Sequence, residues 1–210
     1  MNSIKPVLFL LLIAVGTVPT AQAAEDFRYC LVCHGTDLHG NDTVGGANLS
    51  ILPDWYVARQ LEGFRQGWRG IDRQDKIAQE MMAVASAMEA DAIARAATFV
   101  ADTPARRGRL DTGSDDKTAH AETGLCQTCH GERLQGNQAT GAPPLAGQAA
   151  AYLLRQLTAF RSGSRGKHPD DTYGQQMRGI ALSLDESELP ILVKTLQNLP
   201  VSTQPRGKHD

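Results

Sequence analysis

All four cysteines of this 210-residue chain sit in two C-x-x-C pairs, and each pair is followed at once by histidine: CLVCH ends at His34 and CQTCH at His130. An even number of cysteines suits disulfides in an exported protein, but this spacing argues for another chemistry. C-x-x-C-H is the attachment signature of c-type haem. Two thiols add to the two vinyl groups of one haem as thioethers, and the next residue then lies under the iron and offers its imidazole nitrogen. Cys30, Cys33, Cys126 and Cys129 are thus the candidates for covalent attachment of two haem c groups, and His34 and His130 for the proximal iron ligands. A zinc site needs four ligands gathered together, and its usual spacings do not put His directly after the second Cys. Two motifs that consume every cysteine also leave little room for a redox C-x-x-C.

Cys30 and Cys126 lie 96 positions apart, and the same offset relates much of the chain. It pairs Leu38 with Leu134, Gly45 with Gly141, Arg59 with Arg155, Gln60 with Gln156, Phe64 with Phe160, Arg69 with Arg165, Gly70 with Gly166 and Met81 with Met177. The register holds without a gap from the first Cys to the Met, which marks duplication of a whole domain rather than a short solenoid repeat. Residues 103–116 between the copies are polar, of mixed charge, and contain Pro and Gly, as a linker would. The expected division is an N-terminal haem domain at 24–102, this linker, a C-terminal haem domain at 117–203 and a polar tail at 204–210.

The first 23 residues stand apart. Lys5 precedes a run of mostly apolar residues, PVLFLLLIAVGTV, and Ala21-Gln22-Ala23 fits a cleavage site. The run is short for a span of about 20 residues, so the segment reads as a cleaved signal peptide and places the mature protein in the periplasm.

Each half starts with a short helix leading into its C-x-x-C-H and continues through a Gly-rich loop. The near-helical spacing of Tyr152, Leu153, Gln156, Leu157 and Phe160 predicts a helix over about 149–161, copied at about 53–65. A polar loop then leads to Met81 or Met177, and a last helix closes each half, the second beginning near Ser187 with Pro190 in its first turn. No stretch reads as a strand, so the fold class is all-α, in two small domains.

The far face of each iron needs a second ligand. A thioether there raises the reduction potential and suits electron transfer. Met177 is the one Met of the second half; in the first, the repeat register selects Met81 over Met82 and Met88, with Met82 remaining an alternative. Met88 reads as a core filler. His39, His120, His168 and His209 do not recur at the repeat offset and read as surface residues.

On CLVCHG, YVARQLEGFRQGWRG and QEMM in one half, and CQTCHG, GAPPLAGQ, YLLRQLTAFRSGSRG and QQMRGIALSL in the other, the chain resembles the dihaem class I c-type cytochromes of the cytochrome c4 family. The resemblance covers essentially the whole mature chain. It implies two class I folds packed about a pseudo-twofold axis, His/Met ligation of both haems, and haem propionates near the domain interface. It also implies a backbone carbonyl that holds the proximal imidazole. Pro143 in Pro143-Pro144-Leu145 fits that pattern; Ala47-Asn48-Leu49 departs from it and predicts a less rigid loop. The family acts in electron transfer rather than catalysis, with redox partners such as a terminal oxidase, a cytochrome bc1-type complex or a dehydrogenase, and peripheral membrane association is compatible with it. The alternative is a dihaem subunit of a periplasmic dehydrogenase that oxidises sulfide or an alcohol. A dihaem peroxidase needs an open iron site, which a Met in both halves argues against.

The net charge of −2 carries no nucleic-acid footprint and supports no strong electrostatic steering. Aromatic content is 5%, thin for two cores unless haem fills them. Tyr56, Leu61 and Phe64 are the expected wall of one haem, and Tyr152, Leu157 and Phe160 of the other. Arg59 and Arg155, with Gln60 and Gln156, are candidates to face propionates or the domain interface. The remaining repeated arginines read as solvated charge at helix ends. Two covalent haems per chain are expected in a pyridine haemochrome assay; a value of one or none would refute the reading of the motifs.

Overall fold

The computed structural model describes residues 27–103 and 117–201. The predicted signal peptide lies outside the described residues, as do the linker after Thr103 and the polar tail. Among the described residues there are eight α-helices and no strand. A 3-10 turn at Phe27–Tyr29 leads into α1 (Cys30–His34), followed by α2 (Asp54–Arg65), α3 (Lys76–Ser86) and α4 (Ala90–Asp102). The second half repeats the order with α5 (Lys117–His130), α6 (Ala150–Ser162), α7 (Thr172–Ser183) and α8 (Leu189–Asn198). The all-α expectation holds.

Two boundaries differ from expectation in an instructive way. Met81 and Met177 lie inside α3 and α7, not at the end of a loop. Each helix is started by an aspartate: Asp75 accepts the Ala78 amide at 3.0 Å and Asp171 the Gly174 amide at 2.9 Å. Such a cap satisfies one of the donors a helix start leaves open. α8 begins at Leu189 rather than Ser187, because the Asp185 carboxylate captures both the amide and the hydroxyl of Ser187 in a local turn. Pro190 still falls in the first turn.

In the first half α2 packs on both α3 and α4; in the second α6 packs on α7 and α8, and α5 on α8. The core of the second half gathers Leu134, Leu153, Leu157, Phe160, Leu189, Val193 and Leu196. That of the first gathers Leu38, Leu52, Tyr56, Val57, Ala97 and Val100, with an adjoining group around Phe27, Met88, Ile93 and Ala96. The Gly-rich loops are pinned at the same place in both halves. Leu38 and Leu134 adopt φ of 61° and 56°, unusual for a residue with a branched side chain. Burial of both side chains offsets the strain, and each carbonyl accepts two amides: those of Leu49 and Ser50 at 2.8 and 3.0 Å, and those of Leu145 and Ala146 at 2.9 and 3.3 Å.

Gly70 and Gly166 let the methionine helices sit close. Their φ values are 85° and 77°. A Cβ at Gly70 would lie 2.6 Å from the Ala78 carbonyl oxygen on α3, and one at Gly166 would lie 2.4 Å from that of Gly174 on α7. Gly166→Ala is expected to cost at least about 2 kcal/mol, from the left-handed backbone and the overlap together. A denaturant midpoint equal to that of the wild type would contradict this.

Candidate functional site

Each half opens a deep cleft beside its C-x-x-C-H helix. The cleft of the first half is lined by Cys30, Cys33, His34, Ala47, Leu61, Phe64 and Met81; that of the second by Cys126, Cys129, His130, Pro143, Leu157, Phe160 and Met177. Both clefts are open at the mouth and walled mostly by apolar side chains. Tyr56 and Tyr152 line both clefts, so the two share a wall.

The helices α1 and α5 end at the histidines, and the chain turns away at Gly35 and Gly131. Nδ1 of His34 donates to the Ala47 carbonyl oxygen at 2.9 Å, and Nδ1 of His130 to the Pro143 carbonyl oxygen at 2.7 Å. With the proton held on Nδ1, Nε2 keeps its lone pair. Burial lowers the pKa of both imidazoles and so favours the neutral, ligating form. Burial pushes Cys30 up to about 11 and raises Cys126 as well, the opposite of the low-pKa thiolate that a disulfide oxidoreductase uses.

Met81 lines its cleft from α3, with Ile77 and Val84 above and below it. Met82 turns the other way, its Cβ lying 2.6 Å from where a Cβ at Gly70 would be. Met88 is buried in the core beside Phe27 and Ile93 and also borders the cleft.

The loop carrying Ala47 has no proline, but hydrogen bonds tie it to the other half. Gln148, from the other half, accepts the Asn48 amide and donates to the Asn48 carbonyl, both at 2.9 Å, and the Asn48 side chain donates to the Gly147 carbonyl at 3.2 Å. Three hydrogen bonds across the interface supply what proline supplies at Pro143-Pro144.

The arginines also cross over. Arg59 of α2 lines the second cleft and donates to the Gly141 carbonyl, its guanidinium 4.5 Å from the Tyr173 ring centroid. Arg155 of α6 lines the first cleft and donates to the Gly45 carbonyl at 2.5 Å. Both therefore stand at the interface. Arg69 and Arg165, expected in solvent, are buried there instead. Arg161 is also more than a solvated charge: it donates to the Ala181 and Leu184 carbonyls at 2.8 Å each and so closes the end of α7. Arg65 pairs with Glu62, one turn back.

His168 is likewise no bystander. Its ring stacks on Trp68 of the other half, with centroids 5.8 Å apart. The repeat mates of these two residues, Asp72 and Ser164, meet in a hydrogen bond of 2.6 Å. His39 stays local, bonded to the Asp37 carbonyl. The side chain of His120 and all of His209 lie outside the described residues.

The comparisons with known proteins agree with this geometry. The family model "Cytochrome c" matches residues 118–200. A thiosulfate dehydrogenase electron acceptor of Stutzerimonas stutzeri is 33% identical, over 88% of this chain and 82% of its own. The crystal structure of reduced cytochrome c4 from Pseudomonas stutzeri superposes with a TM-score of 0.63 at 26% identity, covering 81% of this chain and 93% of that one. The chain is a dihaem class I c-type cytochrome of the cytochrome c4 family. A thiosulfate dehydrogenase from Marichromatium purpuratum (TsdBA) matches with a TM-score of 0.65 at 29% identity, over 83% of this chain and 37% of that one.

As a cytochrome c4 relative the chain carries two haem c groups. Its residues fit them: each cleft joins two thiols, a buried imidazole and a thioether within apolar walls. The guanidinium Nε of Arg165, on the second cleft, is buried with no hydrogen-bond partner among the described residues, as a site built for an acidic group would leave it.

Proposed function

We propose that this chain is a periplasmic electron carrier that accepts electrons one at a time from a thiosulfate dehydrogenase and passes them to a respiratory acceptor such as a terminal oxidase. The observation that carries the reading is the wall shared by the two clefts, where Tyr56 and Tyr152 border both and the long helix of each half lines the cleft of the other. Two redox groups held there lie side by side within one structure. The thiosulfate donor rests on the likeness to a thiosulfate dehydrogenase electron acceptor, which favours the dehydrogenase-linked reading over a carrier with no dedicated donor. Among the described residues no helix is long and apolar enough to cross a membrane.

In this reading Cys30 and Cys33 hold one haem and Cys126 and Cys129 the other. His34 with Met81, and His130 with Met177, would supply the side chains that hold the two irons. Each haem supplies a one-electron iron couple. The protein does the rest. The carbonyls of Ala47 and Pro143 fix the imidazole rings and their tautomers. Leu61, Phe64, Leu157 and Phe160 exclude water and keep the local dielectric low. The glycine beneath each methionine helix holds that helix against its cleft. An imidazole and a thioether both committed to each haem would suit one-electron transfer rather than the binding of a substrate. The proposed division into domains at 24–102 and 117–203 follows the repeat.

Met177→Ala and Met81→Ala are each expected to convert one haem to a high-spin or misligated form and to remove about half of the Met-to-iron charge-transfer band. Retention of the full band in either variant would remove that residue from the ligand set, and loss of half of it on Met82→Ala would transfer the role to Met82. For the donor, the oxidised protein is mixed with a purified thiosulfate dehydrogenase and thiosulfate, and the reduced haem band is followed by stopped flow. Reduction of both haems is expected. A protein that ascorbate reduces fully but the dehydrogenase does not would sink the proposed donor.

A further inference from the structure

The hydrogen bond that orients His34 continues into the other half of the molecule. Nδ1 of His34 donates to the Ala47 carbonyl at 2.9 Å. That carbonyl and the Asn48 N–H are the two ends of one planar peptide group. The Asn48 N–H donates in turn to Oε1 of Gln148 at 2.9 Å. Nε2 of Gln148 donates to the Asn48 carbonyl at 2.9 Å, and Oε1 also accepts the Ala149 amide at 3.1 Å. The orientation of the Gln148 amide is therefore fixed: exchanging its oxygen and nitrogen would set an NH2 group against two N–H donors. Both residues are buried, Gln148 to 2% exposure and Asn48 to 7%. The Asn48 side chain is committed as well, to the Ser50 amide and hydroxyl and to the Gly147 carbonyl.

The second half cannot build this chain of bonds. At the repeat offset Ala47 and Asn48 become Pro143 and Pro144, and the mate of Gln148 is Leu52. The Pro143 carbonyl still accepts from His130 at 2.7 Å, but the nitrogen of its peptide group belongs to Pro144 and bears no hydrogen. The tethers on either side are the same in both halves. Upstream, Asn41 pairs with Gly46 and Asn137 with Ala142. Downstream, the Leu49 amide donates to the Leu38 carbonyl and the Leu145 amide to the Leu134 carbonyl. The loops thus differ in the link between the peptide that holds the imidazole and the opposite half. Hydrogen bonds in a chain polarise one another, and donation from a peptide N–H makes its carbonyl oxygen a stronger acceptor.

We propose that Gln148 is a positioning residue for the haem of the first half: by holding the Ala47–Asn48 peptide it strengthens the hydrogen bond on Nδ1 of His34 and so lowers the reduction potential of that haem. A stronger acceptor on Nδ1 leaves more electron density on the imidazole ring, and a more basic ligand favours ferric iron. The first cleft is thereby tuned by a residue of the second half. The inference rests on the two-haem reading of the clefts, with His34 as a ligand, and does not depend on the identity of the donor.

The test is potentiometric titration of the holoprotein and its variants, followed at the haem absorption bands, together with NMR of the imidazole Nδ1 protons in the reduced state. Asn48→Pro removes the amide hydrogen, keeps the Ala47 carbonyl and leaves Gln148 bonded to Ala149 and to the carbonyl of residue 48. The matching position of the repeat, Pro144, already carries proline. The variant is expected to raise the first midpoint potential by an about threefold gain in preference for the reduced state, or about 28 mV at about 59 mV per tenfold for a one-electron couple. The Nδ1 proton of His34 is expected to move to higher field, while the second potential and the Nδ1 proton of His130 stay in place. Gln148→Leu is expected to raise the first potential in the same way. Gln148→Glu keeps an oxygen opposite the Asn48 amide and is expected to hold that potential at or below the wild-type value. An unmoved first potential, or equal shifts at both haems, overturns the proposal. Should Asn48→Pro not load both haems, the two Gln148 variants decide the question by the same readouts. A wild-type protein that carries fewer than two haems overturns the two-haem reading and the inference together. Two haems with an unmoved first potential overturn the inference alone, whether or not the dehydrogenase reduces the protein.

Discussion

In neither half is the core separate from the cleft. The apolar residues that pack together, Leu153, Leu157, Phe160 and Leu196 in the second half and Tyr56, Val57, Val100 and Met88 in the first, are the same residues that line the clefts. A flat, rigid, apolar group anchored by two thioethers is therefore structural as well as functional. The positions of the histidines, the closeness of the methionine helices and the crossing of the long helices all follow from building around that group. With aromatic residues at 5% of the chain, little else could fill the space.

This explains which parts of the molecule were legible in the sequence. Covalent attachment needs two thiols and an imidazole at fixed spacing, so Cys30, Cys33 and His34 announced themselves locally, as did Cys126, Cys129 and His130. Duplication made the rest readable by comparison within the chain: the 96-residue offset separated Met81 from its neighbour Met82, and Met82 does face Gly70 instead of the cleft. The methionine helices were missed because each begins in a polar stretch, where the capping aspartates Asp75 and Asp171 are easily taken for loop residues.

What stayed hidden depends on partners far away in the chain. Arg69 and Arg165 carry charge and follow a helix end, a setting that usually means solvent. Their burial comes from glutamines and tyrosines contributed by both halves, and no local pattern reports that. The hydrogen bonds that tether the Ala47 loop likewise come from residue 148. Trp68 and His168 show no shared signal at all, since at the repeat offset their mates are Ser164 and Asp72.

Those mates carry a consequence for how the two halves recognise each other. At one side of the interface a buried Asn48 meets Gln148; by the repeat, the matching pair is Pro144 and Leu52, both apolar. At another, an aromatic stack is matched by a hydroxyl-to-carboxylate bond. Two copies of the first half would set the main-chain groups of Asn48 against Leu52, and each buried polar group left without a partner costs about 1–3 kcal/mol. Two copies of the second half would offer Gln148 a proline with no amide hydrogen to give. The halves differ in complementary ways, so that each seam surface fits the other half better than a copy of its own.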